Sequence, residues 1–390
     1  MIARHIIFFL IVLLLPDLYF YVRYLRRTRR GRWVKWMVMS VPTVAMLVYT
    51  AILYFQPHFQ PDNPDILEVY LWLIGLVVVP KAVYALCSIL GHVLRRLTHR
   101  RRNYGNLVGI PAALGCVYIT IYGFTVGVRQ LEVKQVDLYF ADLPKAYDGY
   151  RIALFSDLHV GSYRGSRQQV LHRALHTLQQ QKANLIVFAG DLQNLRPQEI
   201  YPYRHLLAAL KATDGVVSVL GNHDYAEYIH ADSNIVRANE QETQRLQRQM
   251  GWQLLKNEHI VLHRGKNDSI VVVGLDDNGN ITEHKRADIE KAMTGIEGTP
   301  FTIVVEHEPP TWRDLILPQS HAQLTLSGHT HGGQIALFGF TPLKWIRKEI
   351  HGLYEDNGRY LYVTSGIGGL IPLRFGVPPE IVTITLHRKK

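Results

Sequence analysis

The chain has 390 residues, of which 47% are hydrophobic and 19% are charged, and it has two cysteines. This length suits two folding units, the hydrophobic content excludes intrinsic disorder, and the two cysteines exclude a disulfide scaffold. The net charge of +11 comes from residues 1–130, which hold 15 Lys and Arg against 4 Asp and Glu. Because the remaining residues are balanced in charge, the composition does not indicate a basic nucleic-acid-binding surface.

Four apolar segments fill the first third of the chain, at about residues 6–22, 34–55, 67–90 and 107–128. Each is near the roughly 20 residues that a helix needs to cross a bilayer. The first segment contains Pro16 and Asp17, and a secretory signal peptide is the alternative there. That alternative fits poorly, because the dense positive charge follows the apolar run and no small-residue cleavage site precedes it. We predict a transmembrane anchor of about four helices over residues 1–129, in the bacterial cytoplasmic membrane.

Charge in the connecting loops predicts the orientation of this anchor. The first and third connections are rich in Arg, whereas residues 56–66 have no Lys or Arg and contain Asp62 and Asp65. Because basic loops stay in the cytoplasm, the chain after residue 129 is predicted to be extracytoplasmic. Within the third segment, Lys81 is a functional intramembrane cation, a partner for Asp17 on a neighbouring helix, or a side chain that snorkels to the interface.

From residue 131 the sequence changes to short β-rich runs and amphipathic helices. Strands are predicted at 131–140, 151–156, 185–189, 216–220, 270–274, 302–305, 323–326, 360–364 and 380–386. One predicted helix carries Leu171, Ala174, Leu175 and Leu178 on one face, and others are predicted at 200–212 and 235–250. Strands that alternate with helices indicate an α/β fold with one or two mixed sheets.

Residue types that bind metals follow five of these strands. They are Asp157 and His159, then Asp191, then Asn222 with His223 and Asp224, then His307, and finally His329 and His331. Ligands bind at the carboxyl ends of strands in open α/β sheets, so these side chains are predicted to meet in one crevice. Residues two apart in an extended chain point the same way, which would aim each Asp or His pair at a common point. A single residue of this kind usually belongs to a turn or caps a helix, but such residues after five strands favour a metal site.

These motifs resemble those of the calcineurin-like metallophosphoesterases over about residues 131–386. They are Asp157-Leu158-His159, Gly190-Asp191, Gly221-Asn222-His223-Asp224, His307-Glu308-Pro309 and Gly328-His329-Thr330-His331-Gly332-Gly333-Gln334. The run Gly149-Tyr150-Arg151-Ile152 and the Gly-Gly-Gln ending are similar to the membrane-associated YkuE/YaeI-like branch. The resemblance implies a β-sandwich flanked by helices over residues 130–390, with two divalent metal ions of the Mn, Fe, Zn or Co type.

The resemblance also assigns roles to individual residues. One metal would take Asp157, His159, Asp191 and His331, and the other would take Asp191, Asn222, His307 and His329. Asp191 would therefore bridge the two ions. His223 is implied as the general acid that protonates the leaving oxygen, and Asp224 as the residue that orients His223.

The chemistry of these residue types favours phosphoester hydrolysis. Two divalent ions carry more positive charge than Asp157 and Asp191 return, so the site would attract a phosphate and stabilise its transition state. Coordination lowers the pKa of water enough to supply hydroxide near neutral pH, and a histidine near its ordinary pKa suits proton donation to the leaving group. We expect a hydrolase that attacks a phosphomonoester or phosphodiester directly with hydroxide.

The substrate is less defined by the sequence. Because the domain begins within a few residues of the last span, a lipid-linked or envelope phosphoester is expected. Residues 335–350 mix apolar and basic side chains, which is typical of a substrate flap or a membrane contact and is also compatible with an ordinary loop. Two alternatives stay open, namely a metal-binding sensor module without turnover and a nucleotidase or nuclease. The neutral charge of the domain weighs against long nucleic acids.

Overall fold

The computed structural model describes residues 6–26, 28, 30–56, 61, 63–99, 101–229, 231–265, 267–278 and 286–389. The chain divides into two compact units, Met1–Phe124 and Thr125–Lys390. Four helices are long and apolar enough to cross a membrane, and they are Ile6–Leu25, Arg32–Tyr54, Pro64–Leu97 and Tyr104–Arg129. Apolar side chains such as Ile7, Val38 and Leu114 are exposed on these helices, as expected where the surroundings are lipid. The predicted N-terminal set of four transmembrane helices is confirmed.

Lys81 lies in a polar cluster inside this helical unit. Its ammonium group forms an ion pair with Asp17 and donates a hydrogen bond to the Thr43 hydroxyl at 2.6 Å. Pairing with Asp17 is therefore the predicted alternative that the structure shows. An ion pair with an additional hydrogen bond lowers the cost of holding a cation among apolar helices, so Lys81 has a structural explanation.

The second unit is built on two six-stranded sheets. The strands are β1 (Glu132–Phe140), β2 (Tyr150–Phe155), β3 (Leu185–Ala189), β4 (Val216–Val219), β5 (Gln253–Leu254), β6 (Glu258–Arg264), β7 (Asp268–Gly274), β8 (Thr302–Val305), β9 (Leu324–Ser327), β10 (Gly352–Asp356), β11 (Arg359–Val363) and β12 (Glu380–Arg388). The first sheet has the order β1-β12-β2-β3-β4-β5 and the second has the order β10-β11-β9-β8-β7-β6. In the first sheet β2, β3 and β4 run parallel, and in the second β7, β8 and β9 do. The carboxyl ends of each parallel set therefore lie along one edge of their sheet.

The two sheets pack face to face, with helices on their outer faces. Ile152 and Val187 of the first sheet share a buried apolar core with Val272 and Ile303 of the second. The regular helices of this unit are Gln168–Gln180, Arg204–Ala208, Ser233–Gln249, Ile289–Met293 and Leu317–Gln319. Leu171 and Leu178 pack on the outer face of the first sheet, and Ile289 packs on that of the second. The predicted α/β fold, a β-sandwich flanked by helices, is confirmed.

The structure differs from the sequence prediction at the segment 200–212. Instead of one helix over the whole segment it contains the 3₁₀ turn Tyr201–Tyr203 followed by the short helix Arg204–Ala208. Pro202 lies in that 3₁₀ turn, where a proline is tolerated because the first N–H groups of a helical turn have no partner within it. The prediction also missed three edge strands, β5, β6 and β10. β5 has only two residues, and the residues of β6 and β10 are mostly exposed or half-buried, so their apolar alternation is weak.

Candidate metal centre

The strand ends bring the predicted ligands into one cluster. Three groups have their ligand atoms within 4.8 Å of one another, and they are Asp157 with His159 and His331, His159 with Asp191 and His223, and Asp191 with His307 and His329. These residues follow β2, β3, β4, β8 and β9, so both sheets contribute. Because neighbouring groups share a residue, the cluster is continuous.

Asp191 lies between the two outer groups. Its Oδ2 atom is 3.4 Å from His159 Nε2 and 3.2 Å from His307 Nε2. Its Oδ1 atom accepts a hydrogen bond from the backbone N–H of His223 at 2.9 Å. One carboxylate oxygen therefore faces imidazoles of both groups, which is the position that a bridging ligand needs.

Asn222, His329 and His331 complete the cluster. The Oδ1 atom of Asn222 is 2.9 Å from His329 Nδ1, and its amide nitrogen donates to the Tyr228 hydroxyl at 2.6 Å. His329 Nδ1 is also 3.3 Å from His307 Nε2, and His331 Nε2 is 3.7 Å from Asp157 Oδ1. All seven residues predicted as ligands are thus within one site.

Five of these seven residues have a left-handed backbone. The φ angles are 51° at Asp157, 48° at His159, 62° at Asp191, 70° at His329 and 50° at His331. This corrects the argument from extended chain, because the paired side chains converge through tight turns and not through strand alternation. A residue with a Cβ adopts this conformation at a cost of roughly 1–2 kcal/mol, and such strain concentrates at functional sites.

Two glycines give the turns the space that they need. At Gly190, where φ is 92°, an added Cβ would lie 2.7 Å from both His307 Nδ1 and Gly221 N. At Gly328 it would lie 2.5 Å from Asp157 Oδ2. Real Cβ atoms do not approach other atoms this closely, so side chains at these positions would displace ligands.

Neighbouring groups fix the orientation of the ligand rings. The ring Nδ1 of His307 lies 2.7 Å from the Ala189 carbonyl oxygen, to which it donates, and this leaves Nε2 free to face Asp191. The buried guanidinium of Arg374 donates to the carbonyl oxygen of His331 at 2.8 Å and lies 3.2 Å from its ring Nδ1. Ser156 donates a hydrogen bond to Asp157.

Burial and neighbouring charges set the protonation states. Burial lowers the pKa of His329 and of His331 well below the ordinary value, with His307 and Arg374 respectively adding to the effect. Burial raises the pKa of Asp191, but the adjacent His307 and His223 outweigh it and hold that pKa well below its usual range. Burial lowers the pKa of His159 and of His307, but Asp191 outweighs it and raises both above the ordinary value. Neutral imidazoles and an ionised carboxylate bind metal ions, so a metal at His159 or His307 would displace a proton from the ring.

His223 and Asp224 do not interact as predicted. The His223 ring contacts the carbonyl oxygen of Asn194 through Nδ1 at 2.6 Å, so Asn194 orients this ring. The carboxylate of Asp224 instead accepts backbone N–H groups on both neighbouring turns, from Asp191 and Gly221 at 3.0 Å and from Leu192 at 2.9 Å. Burial lowers the pKa of His223 to about 4 and raises that of Asp224 to about 7.

The residues present fit a divalent metal ion. His159 is fully buried, yet its Nδ1 has no hydrogen-bond partner within the part of the chain that the structure describes, and its Nε2 faces the Asp191 carboxylate at 3.4 Å. A buried polar group without a partner costs free energy, which a coordinated cation would offset. The set of carboxylate, imidazole and amide ligands suits Mn, Fe, Zn or Co.

Sequence reasoning missed four residues at this site. Glu308 Oε1 lies 3.3 Å from His329 Nε2, and the Tyr228 ring stacks on that of His223 with centroids 4.4 Å apart. Glu308 belongs to a recognised motif, so its position in the sequence was a usable signal, whereas Asn194 acts through its backbone carbonyl oxygen, which no residue type marks. Arg374 and Tyr228 have no such signal, because only the fold brings them to the ligands.

Known proteins share both parts of this architecture. Residues 3–128 match the family model for a probable calcineurin-like phosphoesterase transmembrane domain, and residues 150–333 match the model for calcineurin-like phosphoesterases. The metallophosphoesterase YkuE of Bacillus subtilis is 30% identical over 296 residues, which cover 72% of this chain and 96% of YkuE. A metallophosphoesterase of Helicobacter pylori strain J99 is 29% identical over 297 residues, covering 75% of this chain and 74% of the relative. The UDP-2,3-diacylglucosamine pyrophosphatase LpxG of Chlamydia trachomatis is 29% identical over 329 residues, covering 70% of this chain and 96% of LpxG.

Proposed function

Because the chain belongs to the calcineurin-like phosphoesterases, in the membrane-anchored YkuE-like branch, we propose that it hydrolyses a phosphoester at a centre of two divalent ions. The observation that carries the proposal is the position of Asp191, whose Oδ2 atom faces His159 at 3.4 Å and His307 at 3.2 Å. A shared carboxylate between two ligand groups supports two ions more directly than one.

The ligand sets follow from the two outer groups. Asp157, His159, Asp191 and His331 would hold one ion, and Asp191, Asn222, His307 and His329 would hold the other. When bound, such ions supply Lewis acidity and an acidic water for phosphoester hydrolysis. The protein contributes fixed positions, since Arg374 holds His331 and the Ala189 carbonyl oxygen holds the His307 ring.

His223 would give the proton that the leaving oxygen needs. Its Nδ1 is engaged by the Asn194 carbonyl oxygen, so Nε2 is the atom left to exchange a proton with a substrate. The ring is held in a fixed plane by Tyr228, on which it stacks at an interplanar angle of 21°. Burial disfavours the protonated ring, whereas a phosphate anion bound beside it would favour that form. We assign Asp224 a positioning role on the two turns that it joins.

The proposed substrate is a phosphomonoester or phosphodiester of the envelope, and a lipid-linked one in particular. Four candidate spans support a substrate class found at a membrane, and the relative LpxG is named for a substrate that carries acyl groups and a diphosphate. We propose that residues 130–390 act outside the cytoplasm, because Arg-rich loops flank the second and third spans. A reporter enzyme fused to the C-terminus should then be active only in its extracytoplasmic form, and activity of a cytoplasmic reporter would contradict this orientation.

Turnover by the full-length protein in detergent tests the proposed reaction. With Mn²⁺ and p-nitrophenyl or phenyl phosphodiesters, we expect chelator-sensitive hydrolysis. His223→Ala should lower kcat by about 10²–10⁴-fold, with the larger loss for the phenyl ester because its poorer leaving group needs the proton more. The exposed His172, on the helix Gln168–Gln180, gives the matched control His172→Ala, which should retain kcat.

The same assay separates the proposal from its alternatives. A protein that binds metal but hydrolyses no ester with Mn, Fe, Zn or Co would be a sensor module, and the proposal would be wrong. An equal loss with both leaving groups in His223→Ala would contradict the general-acid role while leaving hydrolysis intact. Hydrolysis confined to nucleotides would identify a nucleotidase.

A further inference from the structure

An exposed apolar surface lies next to the last ligand motif. We call residues 337–348 the aromatic–basic loop, which follows the turn His331–Gly333 and precedes β10. Phe338 is fully exposed, and Trp345 and Ile346 are 79% and 82% exposed. The rings of Phe340 and Trp345 contact each other, with centroids 5.4 Å apart, so these two side chains form one patch, and Ile346 follows Trp345 directly in the chain. Contiguous exposed apolar patches mark interaction sites.

Hydrogen bonds hold both ends of the loop to other parts of the unit. On one side the Ala336 N–H donates to the Phe375 carbonyl oxygen at 2.7 Å, and on the other the Ile350 N–H donates to the Tyr354 hydroxyl at 2.9 Å. Leu337 and Phe340 form a tight turn, within which Phe338 has a left-handed backbone with φ of 51°. A bulky residue is unfavourable in that conformation, and Phe338 gains no packing in return.

The charges on the loop indicate that its partner is anionic. Lys344 and Lys348 are exposed beside the apolar side chains, and residues 335–348 contain no Asp or Glu. Aromatic and aliphatic side chains interleaved with cations are typical of segments that enter the interface of an anionic bilayer. The candidate span Tyr104–Arg129 leads directly into the unit that carries the loop, so the chain tethers this unit to a bilayer. Such a tether makes a weak docking contact effective.

We propose that the aromatic–basic loop docks on the surface of the bilayer that holds the four spans. The loop then presents the site to phosphoesters whose phosphate lies at the lipid–water interface, a substrate class that rests on the hydrolase function proposed above. Phe338, Trp345 and Ile346 would enter the interface, and Lys344 and Lys348 would contact anionic headgroups.

Depth-dependent quenching tests the docking without any turnover. The full chain with Cys87→Ser and Cys116→Ser would carry an environment-sensitive fluorophore on Trp345→Cys, reconstituted at one copy per nanodisc. In phosphatidylglycerol–phosphatidylcholine discs we expect a blue shift and quenching by acyl-chain spin labels. The matched control is Ile235→Cys, because Ile235 is another exposed aliphatic residue of the same unit, at 51%.

Each outcome of this test decides the docking proposal. Stronger quenching at position 345 than at position 235, and less of it in pure phosphatidylcholine, would support the proposal. Equal quenching at the two positions would overturn it. Protection of position 345 that appears only with several copies per disc would assign the patch to a second copy of the chain, and would overturn the proposal as well.

A chromogenic amphiphile tests the substrate class. Hexadecyl p-nitrophenyl phosphate in vesicles and methyl p-nitrophenyl phosphate in solution share one leaving group. Trp345→Ser combined with Ile346→Ser should lower kcat/KM for the amphiphile by about tenfold and change that for the soluble ester less than about twofold. Ile235→Ser should change neither value. An equal effect on both esters would overturn the substrate inference, whereas no turnover of either ester by the unmodified protein would overturn the hydrolase function itself.

Discussion

Replacing Gly190 with alanine tests whether the tight turns hold the candidate centre together. Gly190 has φ of 92°, and an added Cβ would lie 2.7 Å from both His307 Nδ1 and Gly221 N. Two costs then add, namely roughly 1–2 kcal/mol for a Cβ on a left-handed backbone and roughly 1–3 kcal/mol for the forced displacement of packed atoms. Gly149 has φ of 81° with nothing within 4 Å of its Cβ, so Gly149→Ala bears only the first cost.

The matched pair separates collision from backbone strain. Each kcal/mol lowers Tm by about 2–4 °C in a unit of this size, so we expect Gly190→Ala to lower Tm about twice as much as Gly149→Ala. The displaced His307 should also release metal, which elemental analysis of the purified full-length protein would detect. Equal Tm shifts, together with equal metal content in the two variants, would refute the reasoning.

Three other predictions concern the centre and the core. Asp191→Ala should lose both metals in elemental analysis while His172→Ala keeps them, and two fully occupied ions in Asp191→Ala would contradict the bridge. Asp224→Asn should lose metal, because Asp224 holds two neighbouring turns together, and it should leave the pH profile of kcat unshifted. A shifted profile with full metal content would instead support the predicted role of Asp224 in orienting His223. Burial raises the pKa of Tyr147 to about 12, and its hydroxyl donates to the Leu262 carbonyl oxygen at 2.6 Å. The neutral Tyr147 hydroxyl stabilises the folded state fully below the unfolded-state pKa near 10, and this stabilisation is lost as pH rises through about 12. The Tm of Tyr147→Phe should therefore depend less on pH across that range than the Tm of the unmodified protein.

The sequence was sufficient to predict which side chains gather in the candidate centre, because their residue types recur at the strand ends. A single Asp such as Asp157 or Asp191 after a buried apolar run is usually a turn residue or a helix cap, but the repetition over five strands favoured a common site. The geometry that was expected to bring these side chains together was wrong. Alternation along a strand was expected to pair Asp157 with His159, whereas both adopt left-handed turns. Strand ends can be recognised from composition, but the dihedral angles beyond them are set by packing of the neighbouring turns.

The residues around the ligands could not be predicted, for a different reason. Arg374 reaches His331 from 43 residues away in the chain. Asn194 acts through its backbone carbonyl oxygen, which any residue type possesses, so no residue preference marks it. At 200–212 the apolar periodicity predicted a longer helix than the five-residue helix Arg204–Ala208 that forms.

The contacts of Asp224 explain how the strained turns persist. Its Oδ2 atom accepts the N–H groups of Asp191 and Gly221, and its Oδ1 atom accepts that of Leu192, so one carboxylate ties the turn after β3 to the turn after β4. An ordinary hydrogen bond contributes roughly 0.5–1.5 kcal/mol, so three of them are at least comparable with the roughly 1–2 kcal/mol that the left-handed backbone of Asp191 costs. The strain at Asp191 is therefore offset locally, by the hydrogen bonds of Asp224. An acidic residue in a family motif can thus stabilise the shape of a candidate centre.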